Sequence, residues 1–378
     1  MYAKNASERT KPPKAGTARG ALGKTTKKVT LALAVTAVSA FHIAYADSAS
    51  PNTPTFYGLI DAYAEADSGG SQGSRFAFDS GGLAGTRLGV KGNIDLASVS
   101  PGLKAIYQIE AGTFVNNGKS AQGGTLFGRQ MYAGLSGDFG TVTFGRQYTP
   151  LEDTGANFDA FGQGYGSAFN DGEVSFGLDS RYNNALIYTT PTSAGLSASA
   201  MFAAGGQTGG ASHNTLGLAV NYASGPFAAG LALQRDNHDL ATNAIYRNAL
   251  LGASYDFGSF KLMGALSDVK NQPDAAVSTT RHEYMVGATI NVTSKGQLWL
   301  EYGRGRTQNS VPSDLSQAYA IAWVESLTKA VNVYAIAAMN TNGPGASLVP
   351  VGTSSSGSYS IAPGDTARAL VLGFQYSF

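Results

Sequence analysis

The feature that most constrains this chain is a two-residue alternation that recurs from Thr55 to the last residue. Leu370, Leu372, Phe374, Tyr376 and Phe378 share one face of the final segment, and Ala369, Val371, Gly373, Gln375 and Ser377 share the other. The same split sets Leu216, Leu218, Val220 and Tyr222 against Thr215, Gly217, Ala219 and Asn221. It returns at Phe227–Gln234 and at Glu283–Ile290. Alternation over roughly eight to eleven residues, broken by Gly, Asn, Asp, Ser and Pro, is the pattern of strands and hairpins. No stretch after residue 46 keeps helical spacing for more than a turn or two. Tight turn signals fall near Ser100, Ser136, Thr192, Ser224, Asp256, Thr293 and Thr328, with gaps of 36, 56, 32, 32, 37 and 35 residues. All but one gap suit two strands plus a loop. Longer polar stretches lie between them, such as Gly205–Asn214, Arg235–Tyr246, Val269–Arg281, Arg304–Ser316 and Asn340–Thr366.

Short turns on one side and long loops on the other are the habit of membrane β-barrels. About sixteen segments can be counted, from Thr55–Glu65 to Arg368–Phe378, an even number as such barrels require. The expected fold is therefore all-β, an antiparallel up-and-down transmembrane barrel. A sandwich of this size would need a dense Ile, Leu and Val interior. Here the second face is often Gly, Ala, Thr, Gln or Glu, and 49 of the 378 residues are Gly. A closed sheet satisfies every edge, and lipid takes the apolar face without a dry interior being needed. Tyr57, Tyr107, Tyr132, Tyr188, Tyr222, Tyr255, Tyr302, Trp323, Phe374 and Tyr376 are placed to form interfacial girdles.

The overall charge of +1 hides an asymmetry. Residues 1–46 hold eight bases and one acid; Lys27-Lys28 precede an apolar run, Val29–Ala40, and Ala44-Tyr45-Ala46 is an A-x-A cleavage site. That order reads as a secretory signal peptide, leaving 47–378 as the barrel. The remaining chain carries 18 bases and 24 acids. Nothing in it suggests the basic surface that nucleic acid needs.

Sixteen strands enclose more space than side chains fill, so a water-filled lumen is expected. The exceptional gap says what narrows it. Between the strands Thr141–Tyr148 and Asn183–Thr190 lie 34 residues, with Glu152, Asp153, Asp159, Asp171, Glu173 and Asp179 among Phe158, Phe161, Tyr165, Phe169 and Phe176. Aromatic side chains in a long loop imply packing. Folding inward would carry those carboxylates into the lumen; an external loop is the alternative.

Several runs carry a resemblance. Phe56–Asp61, Thr86–Gly92, Leu103–Glu110, Phe127–Gln130, Gly134–Gly140, Phe144–Pro150 and the terminal Phe378 look like the general porins of Gram-negative bacteria, most nearly the β-proteobacterial subfamily. The resemblance covers essentially everything after residue 54. It implies a homotrimer of sixteen-stranded barrels in the outer membrane among lipid and lipopolysaccharide, inserted by the barrel assembly machinery, with the third outer loop folded inward. Phe378 matches that family's assembly signal. The family's ladder of bases opposite an acidic loop falls on Arg87, Lys91, Arg129 and Arg181, facing Glu152, Asp153 and Asp159. Parity supports the first pair, because Arg87, Gly89, Lys91 and Asn93 oppose Leu88, Val90 and Ile94. Arg129 shares parity with Met131, Ala133 and Leu135; either it lies in a subunit contact or it faces away from the pore. Arg146 follows Val142 and Phe144, so with Tyr148 it reads as a rim or trimer-contact residue. Leu59 stands where some relatives carry a lumen base.

Such a waist filters by a transverse field: polar solutes reorient in it, while apolar ones must displace ordered water. The expected function is passive diffusion of small hydrophilic solutes and ions, with no cofactor and no metal. The candidate charges nearly balance, so the sequence leaves ion preference open. With no Cys and only four His, three of them (His213, His238 and His282) in or beside different outer loops, a hydrolytic triad is disfavoured. Asp171 and Glu173 read as solvated loop acids, with a surface Ca²⁺ site as the alternative. A substrate-selective channel and a non-conducting surface-binding barrel remain as the rival functions.

Overall fold

The computed structural model describes residues 52–70, 73–174, 179–205, 214–237, 245–273, 277–352 and 359–378. The expected export segment 1–46 lies outside the described residues, as do Phe176, His213 and His238. The wall begins with strands β1 Thr55–Ser68, β2 Ser74–Ser80, β3 Arg87–Asp95, β4 Lys104–Gly112, β5 Gln130–Gly137 and β6 Gly140–Tyr148. It continues with β7 Arg181–Thr189, β8 Leu196–Ala203, β9 Thr215–Ser224, β10 Phe227–Asp236, β11 Ile245–Asp256 and β12 Phe260–Gln272. The last five are β13 Thr279–Asn291, β14 Gly296–Thr307, β15 Ser316–Ser326, β16 Val331–Asn342 and β17 Thr366–Ser377. Successive strands pair antiparallel from β3 onward, and β1 pairs with β17 from Leu59↔Ser377 to Ser68↔Arg368. Among the described residues the sheet is closed, with no free edge strand.

Seventeen strands make sixteen staves, because β2 and β3 are two halves of one. β1 pairs with β2 along Ala62–Ser68 and with β3 along Thr55–Leu59. Between the halves, residues 81–86 leave the ladder, and their backbone donors need another partner. Asp61 supplies it, accepting from the amides of Gly82 (2.9 Å), Leu83 (2.9 Å) and Ala84 (3.0 Å). Tyr334 Oη (2.5 Å) and Gln375 Nε2 (3.0 Å) also donate to the same carboxylate, which ties the break to β16 and β17.

The two ends differ as the sequence implies. Residues 138–139, 225–226, 257–259, 292–295 and 327–330 turn tightly at one end, while 113–129, 149–180, 204–214 and 343–365 are long connections at the other. Long loops face outward in such barrels.

The faces are the reverse of a water-soluble fold. Val220, Leu231, Leu251 and Leu266 stand in one row across β9–β12, and each is about half exposed on the outer face. Holding one such side chain in water instead of hydrocarbon costs ~1.5–3 kcal/mol, so a continuous apolar band is stable only against lipid. The inward face buries Asp61, Glu65, Glu110, Gln234, Asn248, Glu283, Glu301 and Gln375. Among the described residues no helix is long and apolar enough to cross a membrane; the strands cross.

Aromatic pairs mark both borders of the band. At the turn end lie Tyr222–Phe227, Tyr255–Phe257, Phe257–Phe260 and Tyr376–Phe378, with ring centroids 6.2, 4.6, 4.6 and 5.7 Å apart. At the loop end Tyr302 sits 5.9 Å from Tyr284 and 5.0 Å from Tyr319. Tyr107, Tyr188, Trp323 and Phe374 also take the outward face. Two girdle expectations fail: Tyr57 and Tyr132 point into the lumen, where Glu110 and Gln108 hold their hydroxyls.

Candidate functional site

The connection 149–180 is the third at the loop end (L3), after the short one between β1 and β2 and the long one between β4 and β5, and it folds inward. Thr149 caps helix α1 (Pro150–Ala156): its Oγ1 accepts from the Glu152 amide at 3.0 Å, and Pro150 presets the first turn. α1 packs against β8–β11, with Leu151 and Phe158 among Ala219, Ala232 and Leu250. Farther along, Phe161 meets the Trp299 ring edge-on at 5.9 Å. Tyr165 meets Tyr63 at 5.4 Å and donates its hydroxyl to Glu65 Oε2 at 3.0 Å. A short second helix, α2 (Ala168–Asp171), lies on β14 and β15.

Two glycines in the wall allow this close approach. A Cβ on Gly252 would come within 2.0 Å of the Phe158 ring, and one on Gly303 within 2.1 Å of the Ala168 Cβ. Glu301 fixes the middle of L3: its Oε2 accepts from the Ala160 amide (3.0 Å) and its Oε1 from the Ala168 amide (2.8 Å). At the far end Asp171 accepts from the Val351 amide at 3.0 Å, and Asn170 donates to Val351 O at 2.8 Å. Glu173 accepts from Asn340 Nδ2 at 3.1 Å. Asp171 and Glu173 are thus buried fasteners between L3, the connection 343–365 and β16, not solvated loop acids.

L3 follows the wall from β8 round to β16 and β1, and the bases sit on the other side of the lumen. Arg87 and Lys91 project inward from β3, with Lys91 Nζ 5.7 Å from the centre of the Tyr57 ring. Arg129 resolves the parity conflict. It precedes β5 at a bend, so it escapes the alternation that sends Met131 outward, and it is 3 % exposed. Its Nε donates to Glu110 Oε1 at 2.7 Å and its Nη2 to Tyr148 Oη at 2.8 Å. Arg181 stacks on the Tyr148 ring, Cζ 3.9 Å from the centroid, and donates to the same hydroxyl. Tyr148 therefore belongs to the basic cluster. Arg87 lies within the electrostatic reach of Arg129, Arg181 and Glu110.

A hydrogen-bonded chain stiffens this wall. Tyr57 donates to Glu110 Oε2 (2.9 Å), Gln108 Nε2 to Tyr57 Oη (2.7 Å), and Tyr132 to Gln108 Oε1 (2.9 Å). Glu110, Tyr57, Gln108 and Tyr132 are not among the site residues that the sequence suggests. Parity along β4 and β5 carries the signal, since Gln108 and Glu110 share a face with Tyr132. Arg146 faces outward, donating to Gly128 O (2.7 Å) and Asn183 Oδ1 (2.9 Å).

The three acidic candidates part ways. Asp153 is exposed on α1 and acts electrostatically on Tyr132 of the basic wall. Glu152 is 8 % exposed; burial pushes its carboxyl up to about 7, with Arg181 pulling the other way. Asp159 is wholly buried and turned into L3 itself. It accepts from the amides of Phe161 (2.8 Å) and Gln163 (3.0 Å) and from Ser167 Oγ (2.5 Å). It braces the loop and presents no carboxylate to the lumen.

The sequence profile of the Gram-negative porins matches residues 30–345. The chain belongs to that family. This porin is 30 % identical over 368 residues to the outer membrane porin protein 32 of Delftia acidovorans, covering 93 % of this chain and all of the relative. It is 33 % identical over 214 residues to an outer membrane porin protein of Bordetella pertussis, covering 50 % of this chain and 53 % of that one. Among solved structures, the anion-selective porin from Comamonas acidovorans superposes with a TM-score of 0.76 at 26 % identity, covering 86 % of this chain and 99 % of that one. The porin is thus an outer-membrane diffusion channel of the β-proteobacterial type, a closed sixteen-stave barrel around a water-filled path.

Proposed function

We propose that this porin passes small hydrophilic solutes and ions through a waist bounded by L3 and the β3–β7 wall, and that it prefers anions. The observation that carries the preference is the unequal fate of the charges. Arg87, Lys91 and Arg181 keep partial exposure, and Arg129 is offset by Glu110. On the loop side Asp159 is spent inside L3 and Glu152 is buried, which leaves Asp153 as the exposed acid of the three. The Comamonas structure, which is named an anion-selective porin, agrees in direction.

The waist works by field and geometry. Bases held by a stiff wall offer anions ready-made counter-charges at no reorganisation cost, and cations meet repulsion at the narrowest point. In the same reading residues 1–46 are removed on export, 47–378 form the barrel, and three copies associate, with Arg146 near the contact. Phe378, whose amide and carbonyl pair with Gly58 (3.1 and 2.9 Å) at the β1–β17 seam, serves as the assembly signal.

The test is the reversal potential of the reconstituted protein in a planar bilayer under a potassium chloride gradient. An anion-side potential is expected, and Arg87→Gln with Arg181→Gln should reduce it. Protonation of Glu152 removes a negative charge as pH falls through about 7. Lowering the pH from about 8 to about 6 should therefore move the potential further to the anion side. A cation-side potential in the wild type would overturn the preference.

A further inference from the structure

Tyr57 lies along the wall where a strand side chain ordinarily stands away from it. It starts on β1, opposite Gly89 of β3, and its hydroxyl reaches β4. There it donates to Glu110 Oε2 at 2.9 Å and accepts from Gln108 Nε2 at 2.7 Å. β3 runs between those strands, with Gly89 opposite Glu110 and Lys91 opposite Gln108. The phenol ring therefore crosses over β3, and Gly89 makes room for it. A Cβ on Gly89 would come within 2.4 Å of Tyr57 Cζ and 2.5 Å of its Oη. A ring laid down in this way turns one face to the backbone and the other to the lumen, and Tyr57 keeps partial exposure.

Two bases border that ring. Arg87 and Lys91 stand two residues either side of Gly89 on the same inward face, ~6–7 Å away along the strand. Lys91 Nζ is 5.7 Å from the ring centre. Arg87 donates from Nε to Gly85 O at 2.8 Å, which fixes the plane of its guanidinium. Among the described residues no hydrogen bond or ion pair engages its two terminal nitrogens. A chloride ion uses the charge of such a fork and not its shape, whereas a carboxylate fits it with two parallel bonds. The neighbouring ring adds a flat apolar surface that no inorganic ion uses. Across the waist Phe158, Phe161 and Tyr165 are buried against the wall, so those rings offer a solute no such face.

We propose that Arg87, Tyr57 and Lys91 form a binding step for aromatic carboxylates inside the waist. The carboxylate pairs with the Arg87 fork or the Lys91 ammonium, and the solute ring stacks on Tyr57. One ring contact and one ion pair hold a solute weakly enough that it also leaves, as passage requires. The inference rests on the diffusion-channel reading above and adds a solute class to it.

The experiment records the chloride current of the reconstituted protein in a planar bilayer while benzoate, cyclohexanecarboxylate or acetate is added. The first two acids share charge and nearly share size; they differ in whether the ring is flat and aromatic. Benzoate should halve the current at a concentration about three- to tenfold below that of cyclohexanecarboxylate, ~0.7–1.4 kcal/mol, with acetate the weakest. Tyr57→Leu should bring the two ring acids together. Tyr57→Phe keeps a ring without the bonds that hold it down and should fall between. Arg87→Gln should weaken both acids and leave their ratio. Equal half-block by the two ring acids in the wild type would overturn the proposal. So would a ratio preserved in Tyr57→Leu channels that still conduct chloride. The reversal potential in the same recordings keeps this apart from the ion preference. An anion-side potential with equal half-block removes only the solute class, and a cation-side potential with the ratio intact removes only the preference.

Discussion

Excising Asp153–Glu173 and bridging the gap with a short Gly-Ser link is expected to raise single-channel conductance by roughly two- to fivefold. The expectation follows from what L3 occupies. Its side chains fill the lumen against β8–β11, β14–β16 and the 81–86 break, and the bases on the facing wall are positioned without it. Arg129 rests on Glu110 and Tyr148, and Lys91 on Tyr57, all outside the deleted segment. Removal should therefore widen the path without collapsing the opposite wall. It would also expose Leu250, Trp299 and Tyr63, now buried beneath the loop, to lumen water. The temperature at which the folded barrel shifts on a gel should accordingly fall, while the shift itself persists. Unchanged conductance in a heat-modifiable barrel would mean that L3 does not bound the path.

The second large effect is expected at Glu301. Its two oxygens hold the amides of Ala160 and Ala168, eight residues apart on L3 and deeply buried. Glu301→Ala leaves both donors without that acceptor, at ~1–3 kcal/mol each. L3 can recover those bonds only by moving toward water, so the channel should flicker between current levels and its mean conductance should rise. Glu301→Gln keeps one acceptor oxygen and the packing volume, and should fall between the wild type and Glu301→Ala. A quiet, wild-type channel in Glu301→Ala would show that the packing of Phe158, Phe161 and Tyr165 alone fixes the loop.

Period-two reasoning reaches the wall because a strand's faces are set by counting. Leu231, Leu251 and Leu266 lie where alternation puts them, and Arg87 and Lys91 turn inward on the same count. Counting fails where the ladder is interrupted. Arg129 lies one residue before β5, at a bend, so its side chain is no longer tied to the parity of Met131. The break at 81–86 is invisible for a related reason: its cause is a carboxylate, Asp61, whose five donors come from residues 21 to 314 positions away.

The loop is legible in outline and opaque in detail. Its aromatic content predicts packing, and Phe158, Phe161 and Tyr165 do pack against the inner wall. Its acids cannot be sorted by composition, because a carboxylate capping its own loop and one facing a pore look alike in a sequence. Asp159 satisfies local amides two and four residues on, while Asp153, six residues earlier, stays exposed. The partners of Glu301, in turn, are set by where L3 crosses β14, which no local pattern encodes. Tyr57 and Tyr132 mislead in the opposite way, since an aromatic residue near a strand end suits a girdle or a lumen network equally well.

The central claim is that the closed wall surrounds an open, water-filled path narrowed from inside. Single-channel recording of the detergent-extracted wild type in a planar bilayer tests it most directly. Discrete current steps, proportional to voltage and arriving in threes if the trimer assembles, are the expected result. A folded, heat-modifiable barrel that inserts and carries no current would contradict the account.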